Sequence, residues 1–189
     1  MAETAHTIIL VCWVIFVSVW VASAARTKPI LEKQSVASRM AHRLPLAAGW
    51  WLLIAPKWPR PLNWQIIPHS EFLDMISAAV CICGLVFTIW ARQTLAGNWS
   101  ADVTFKKDHE LIRRGPYHIV RHPIYTGLLA MFLGTAILIG QVRGAVSLVL
   151  ITIGFWIKLR QEERLMVQHF PEAYPGYRRE VKALVPFVI

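Results

Sequence analysis

At 189 residues the chain is sized for one compact domain. Its residues are 56% hydrophobic and 16% charged, against roughly 45–50% and about 25% in soluble domains, and the apolar residues fall in long runs, which excludes an ordinary water-soluble fold. The formal net charge of +9 would point to nucleic acid only if the basic residues formed one patch; they sit between the apolar runs, where anionic lipid headgroups neutralise them.

The runs predict five transmembrane helices: Thr7–Ala25, Leu44–Ala55, Phe72–Trp90, Ile124–Gly140 and Gly144–Ile157. The first ends in Ala22-Ser23-Ala24, similar to a signal-peptidase site. Glu3 and His6 precede it and Arg26 and Lys28 follow it, the reverse of a cleaved signal's charge order, so a retained anchor is expected. The second run is only about 18 Å long at about 1.5 Å per residue, where a span needs nearer 20 residues. It either extends beyond its apolar stretch or re-enters, and it is kept as a span because the charge alternation requires a crossing.

Positive charge is retained on the cytoplasmic side of short loops. Segments 26–43, 91–123 and 158–189 carry seventeen Lys and Arg, whereas the opposite side carries three, Lys57, Arg60 and Arg143. The expected topology is N-out, C-in. Trp50, Trp51, Trp58 and Trp64 suit an interfacial belt. Cys12, Cys81 and Cys83 lie within apolar runs and carry neither a disulfide framework nor zinc-ligand spacing, so no metal is expected. No P-loop and no Gly-x-Gly-x-x-Gly turn is present.

Between the third and fourth runs, Gly97-Asn98-Trp99-Ser100 opens a polar stretch reaching Arg114, too long for a simple connector. Gly115-Pro116 marks a turn. Pro123 holds His122 extended and suits the first turn of a helix. Arg121 and His122 are thereby placed at the membrane boundary, beside helix N–H groups that favour anions. Gly127, Ala130 and Gly134 form a small-residue face for close helix contact. Gln141-Val142-Arg143 is short enough to make runs four and five an antiparallel hairpin. The fifth helix continues past the membrane through Lys158, Glu162, Met166 and Phe170, one face at steps of four.

The set His109-Glu110-Leu111-Ile112, Gly115-Pro116-Tyr117, Arg121-His122-Pro123-x-Tyr125-x-Gly127, Glu162-Glu163 and Phe170-Pro171-Glu172-Ala173-Tyr174-x-x-Tyr177 resembles the isoprenylcysteine carboxyl methyltransferase family. The resemblance covers about residues 97–189. It implies S-adenosyl-L-methionine as cofactor, with His109, Glu110, Leu111, Ile112 and Tyr117 around the nucleoside and His122, Pro123, Ile124 and Tyr125 along it. Glu162 is assigned to the cofactor's amino group, with Glu163 backing it. The family's substrate-facing arginine falls at Lys158, a point charge where Arg would grip a carboxylate bidentately.

The expected fold is therefore all-α: a multi-pass integral membrane protein of about five transmembrane helices, with a C-terminal helical hairpin and a cytosolic cofactor pocket. Residues 1–189 are read as a single methyltransferase domain, 1–96 supplying N-terminal transmembrane helices and 97–189 the cofactor-binding half. The membrane would be the inner membrane of a bacterium or the endoplasmic reticulum of a eukaryote. The resemblance implies O-methylation of a lipophilic, isoprenylcysteine-like carboxylate, with a lipophilic small molecule or prenylated protein as substrate, membrane lipid as surroundings and no nucleic acid. Arg121, His122 and Lys158 are the candidate catalytic residues, with Lys158 or Arg121 holding the carboxylate. A phospholipid N-methyltransferase, an NADPH-dependent membrane reductase and a non-catalytic membrane scaffold remain as alternatives.

Overall fold

A computed structural model describes residues 2–24, 30–55, 57–99, 103–106 and 110–186. Five long helices dominate it: α1 (Ala2–Ala24), α2 (Val36–Ile54), α3 (Glu71–Leu95), α5 (Pro123–Ile139) and α6 (Val142–His169), with short α4 (Pro116–Ile119) and α7 (Ala173–Glu180) beside the C-terminal half. Three of them, α1, α3 and α6, are long and apolar enough to cross a membrane, and α5 is a shorter apolar helix. One addition to the all-α expectation is a small antiparallel ribbon of β1 (Ile30–Lys33) and β2 (Thr104–Lys106), which ties the segment before α2 to the polar loop after α3.

Helix boundaries follow local chemistry. Ser35 and Ser70 cap α2 and α3 by accepting the backbone N–H of Ser38 at 3.3 Å and of Leu73 at 3.2 Å. Glu71 and Asp74 add negative charge to the first turn of α3. Pro123 starts α5, and Gly140 ends it at φ 63°, a left-handed conformation that favours glycine. The second expected span, short as an apolar run, lies in one continuous helix of 19 residues, about 28 Å at ~1.5 Å per residue; its first two turns carry Arg39, His42 and Arg43, which hid them from a hydropathy reading. Its free C-terminal carbonyls are taken by Arg143, whose Nη1 donates to Leu52, Leu53 and Ala55 at 3.0–3.3 Å.

Two packed groups form the bundle. In one, α3 lies along α5 and α1; in the other, α2 lies along α6; the tight α5–α6 turn joins them. The α3–α5 contact is backbone to backbone. A Cβ on Gly127 would meet Thr88 Oγ1 at 2.1 Å and the Gly84 carbonyl at 2.6 Å, and one on Gly134 would meet the Ser77 carbonyl at 2.4 Å. The predicted small-residue face is therefore used, and α3 is what it receives. Between the groups, Trp13, Trp50 and Phe132 pack with ring centroids 4.7–4.9 Å apart. Trp50 thus turns inward and is no belt residue, whereas Trp51 and Trp64 are exposed.

Candidate functional site

Where α6 outruns the bundle, a cavity of about 150 Å³ opens between four pieces of chain. Its walls are Leu95, Asn98 and Trp99 at the end of α3; Glu110, Leu111 and Ile112 of the following loop; Tyr117, Arg121, His122, Ile124 and Tyr125 around α4 and the start of α5; and Glu162, Leu165, Met166, Tyr174 and Tyr177 from α6 and α7. The Arg121-His122 segment is held in place by the C-terminal tail, since its N–H groups donate to the Lys182 and Ala183 carbonyls at 2.8 and 3.0 Å. Val120 is extended, at φ −142° and ψ 152°, but His122 takes φ −122° and ψ 59°, short of the extended form expected before Pro123; lying outside the helix, Arg121 and His122 still have free N–H groups to pair in this way.

One oxygen of Glu162 accepts the Tyr125 hydroxyl at 2.6 Å and lies 4.0 Å from Lys158 Nζ; the other is 3.5 Å from His122 Nδ1. The rings of His122 and Tyr125 stack 3° from parallel, and Tyr125 stacks on Phe155 in turn. Lys158 Nζ stands 5.4 Å from the Tyr125 ring centre, a cation over a π face. His122 Nε2 is 3.4 Å from Glu163 Oε1, a charge contact without a formed hydrogen bond. Burial disfavours the His122 imidazolium, but polar contact and charge from Glu162 and Glu163 outweigh it and raise its pKa above the usual histidine value.

The sequence leaves open which of the two glutamates faces the cavity, and the helix register resolves it. Glu162 lines the cavity, while Glu163, 4% exposed, turns to Arg121. Arg121 donates to Glu163 Oε1 from Nε at 2.9 Å and from Nη2 at 2.5 Å, and from Nη1 to the carbonyls of Val181 and Arg178. Its donors are thereby committed to α6 and the tail, which corrects the expectation that Arg121 holds an acceptor carboxylate: it is a clamp at the cavity wall. Lys158 is the cation beside Glu162, set behind the wall. Pro123 is buried in the first turn of α5 and does not line the cavity either. His109 lies outside the described residues.

Seven wall residues were not expected: Leu95, Asn98, Trp99, Leu165, Met166, Tyr174 and Tyr177. Signals for them exist. Leu165 and Met166 follow Glu162 by three and four, one helical face, and Tyr174 and Tyr177 are an i, i+3 aromatic pair. The Tyr177 hydroxyl donates to the Tyr117 carbonyl at 2.5 Å, and burial raises its pKa to about 12, so it stays a neutral donor. Asn98 and Trp99 are visible only as the polar break after the third apolar run.

The wall chemistry fits an aminoacyl nucleoside. A partly buried carboxylate, Glu162, faces the cavity at one side to meet an ammonium, and aromatic and aliphatic side chains supply flat apolar walls for a ring system.

A family model described as phospholipid methyltransferase matches residues 73–173, more than half of the chain. Among curated proteins, the Protein-S-isoprenylcysteine O-methyltransferase of Schizosaccharomyces pombe is 35% identical over 86 residues, 43% of this chain and 35% of that protein. The Probable protein-S-isoprenylcysteine O-methyltransferase of Oryza sativa subsp. indica is 30% identical over 120 residues, 62% of this chain and 63% of its own. The Nickel-cobalt-cadmium resistance protein NccN of Alcaligenes xylosoxydans xylosoxydans is 30% identical over 124 residues, 64% of this chain and 57% of its own. The chain spans 35–63% of the length of these relatives.

Proposed function

The chain belongs to the phospholipid methyltransferase family, and on that footing we propose that it is an S-adenosylmethionine-dependent membrane methyltransferase acting on a lipophilic carboxylate at the cytoplasmic face. The observation that carries the reading is Glu162: a carboxylate lining a cavity, with Tyr125, His122 and Lys158 arranged around it. When bound, the cofactor supplies a methyl group made electrophilic by its sulfonium. Glu162 would neutralise an ammonium and fix one end of the molecule, with Tyr125 and His122 orienting the carboxylate. Lys158, one turn toward the membrane from Glu162 and behind the cavity wall, would support the Glu162 carboxylate and lend positive charge that favours an anionic acceptor. Glu110, Leu111, Ile112, Tyr117 and Ile124 would enclose the nucleoside and exclude water.

A carboxylate acceptor is already ionised at pH 7 and needs no general base, so alignment is the main task, worth up to about 7–11 kcal/mol. The membrane position of α5 and α6 suits an acceptor arriving sideways from lipid while the cofactor enters from the cytosol. The names of the S. pombe and rice relatives support an isoprenylcysteine carboxylate; the name of the family supports a phospholipid amine as the second reading.

A labelled-methyl transfer assay offering a farnesylated cysteine analogue and phosphatidylethanolamine together separates the two. Base-labile label in the cysteine analogue is expected. Base-stable label confined to the phospholipid would overturn the carboxylate acceptor and leave the cofactor assignment standing.

A further inference from the structure

At its C-terminal end α3 does not simply unwind. Ala96 takes φ 48°, a conformation rare for a residue with a side chain, and a single 3-10 turn over Ala96–Asn98 follows. Arg92, 3% exposed, fixes this turn. Its Nη1 donates to the Ala96 carbonyl at 2.7 Å, its Nη2 to the Ser23 carbonyl of α1 at 2.9 Å, and its guanidinium lies 4.7 Å from the centre of the Trp99 ring. Trp99 is also in edge contact with Trp20, at 5.9 Å. The turn is therefore built and braced from two helices, and what it delivers to the cavity is Asn98 beside Trp99.

Asn98 is 8% exposed, and its Oδ1 is buried with no hydrogen-bond partner among the described residues. A buried acceptor is costly to leave unmet, and this one belongs to a side chain lining a cavity. We propose that Asn98 reads the adenine edge of the bound nucleoside, its carboxamide accepting from the exocyclic amino group and donating to N7. This rests on the reading of the cavity as an S-adenosylmethionine site.

The chemistry favours a base over a sugar. A carboxamide presents one acceptor and one donor in a plane, and an adenine edge presents the complementary pair in a plane; asparagine pairs with adenine in this way elsewhere. Trp99, Tyr117 and Ile112 supply flat and apolar surface for a heterocycle near the same wall. Glu162 comes to the cavity from α6, on a different wall from the end of α3, which leaves the ammonium and the base to separate partners.

The test is calorimetry on the detergent-solubilised full chain with S-adenosylhomocysteine and with its inosine counterpart, in which an oxo group replaces the amino group. The wild type should prefer the adenosine compound at least about tenfold. Asn98→Leu should lower affinity for the adenosine compound by about tenfold and bind both compounds alike, with an unchanged melting temperature without ligand. Asn98→Asp, which retains an acceptor, should keep the preference, and it serves if the leucine variant does not fold. Discrimination surviving in Asn98→Leu, or absent from the wild type, would overturn the assignment and leave the cofactor reading intact. A wild type binding neither compound would overturn both.

Discussion

At the scale of single residues, the site rests on a chain of charge: Lys158, Glu162, His122, Glu163 and Arg121 alternate in sign when His122 is protonated. Glu162 is the member that looks into the cavity. Glu162→Gln keeps the shape and the contact with Tyr125 but removes the charge, so affinity for S-adenosylhomocysteine should fall roughly 10- to 100-fold, the worth of a hydrogen bond to a charged group; equal affinity in the two proteins would remove Glu162 from the cofactor site. His122 supplies a pH signature. Its pKa is raised in the fold, so its contribution to stability is fully present below the ordinary histidine value of about 6.5 and is lost as pH rises through the raised one. The melting temperature of the wild type relative to His122→Gln should accordingly decline as pH increases from below about 6.5. A difference that is flat or that grows with pH would mean that the imidazolium is not what the two carboxylates stabilise.

At the scale of elements, the Arg121–Glu163 pair couples the segment before α5, the C-terminal part of α6 and the C-terminal tail in one contact. Side-chain exposures of 7% and 5% make it a buried pair. Removing one partner strands the other charge, so Arg121→Met should cost about 3–5 kcal/mol, with Arg121→Met/Glu163→Leu recovering much of that; equilibrium unfolding of the single and double variants measures it, and a double variant no more stable than the single would refute the coupling. Gly127→Val tests the α3–α5 contact. Its side chain would drive into Thr88 and the Gly84 backbone, and a loss of at least about 1–3 kcal/mol is expected.

Long elements were legible in the sequence because lipid demands continuous apolar runs, and small residues at three and four spacing mark close packing before the partner helix is known. The wall from Glu110 to Tyr125 and Glu162 was legible through the motif. Three things were not. Arg121 stands in that motif, but only the fold reveals that its donors go to Glu163 and to tail carbonyls some sixty residues away in sequence. The first turns of α2 are polar because they pack beside α6, where His42 Nδ1 meets Gln161 Oε1 at 2.9 Å, rather than because they leave the bundle. The ribbon of β1 and β2 joins segments about seventy residues apart, with no alternating pattern to announce it.

At the scale of the molecule, orientation decides which compartment supplies the cofactor. The helix α6 has 28 residues, about 42 Å at ~1.5 Å per residue against a hydrocarbon core of about 30 Å. About a dozen ångströms must therefore project, and Lys158, Glu162 and Glu163 lie toward the polar C-terminal end, where ionisable groups are cheapest to keep. Arg143, one of the three cations on the opposite side, is accounted for by the α2 carbonyls it caps, which leaves Lys57 and Arg60 as the loop charges there and strengthens the asymmetry that the topology rule reads. The expectation is N-out, C-in. In a background with Cys12, Cys81 and Cys83 replaced by Ala, a membrane-impermeant maleimide should label Lys57→Cys in intact cells and label Arg179→Cys only after the membrane is opened. Labelling in the reverse order would invert the topology and, with it, the cytosolic access on which the cofactor assignment depends.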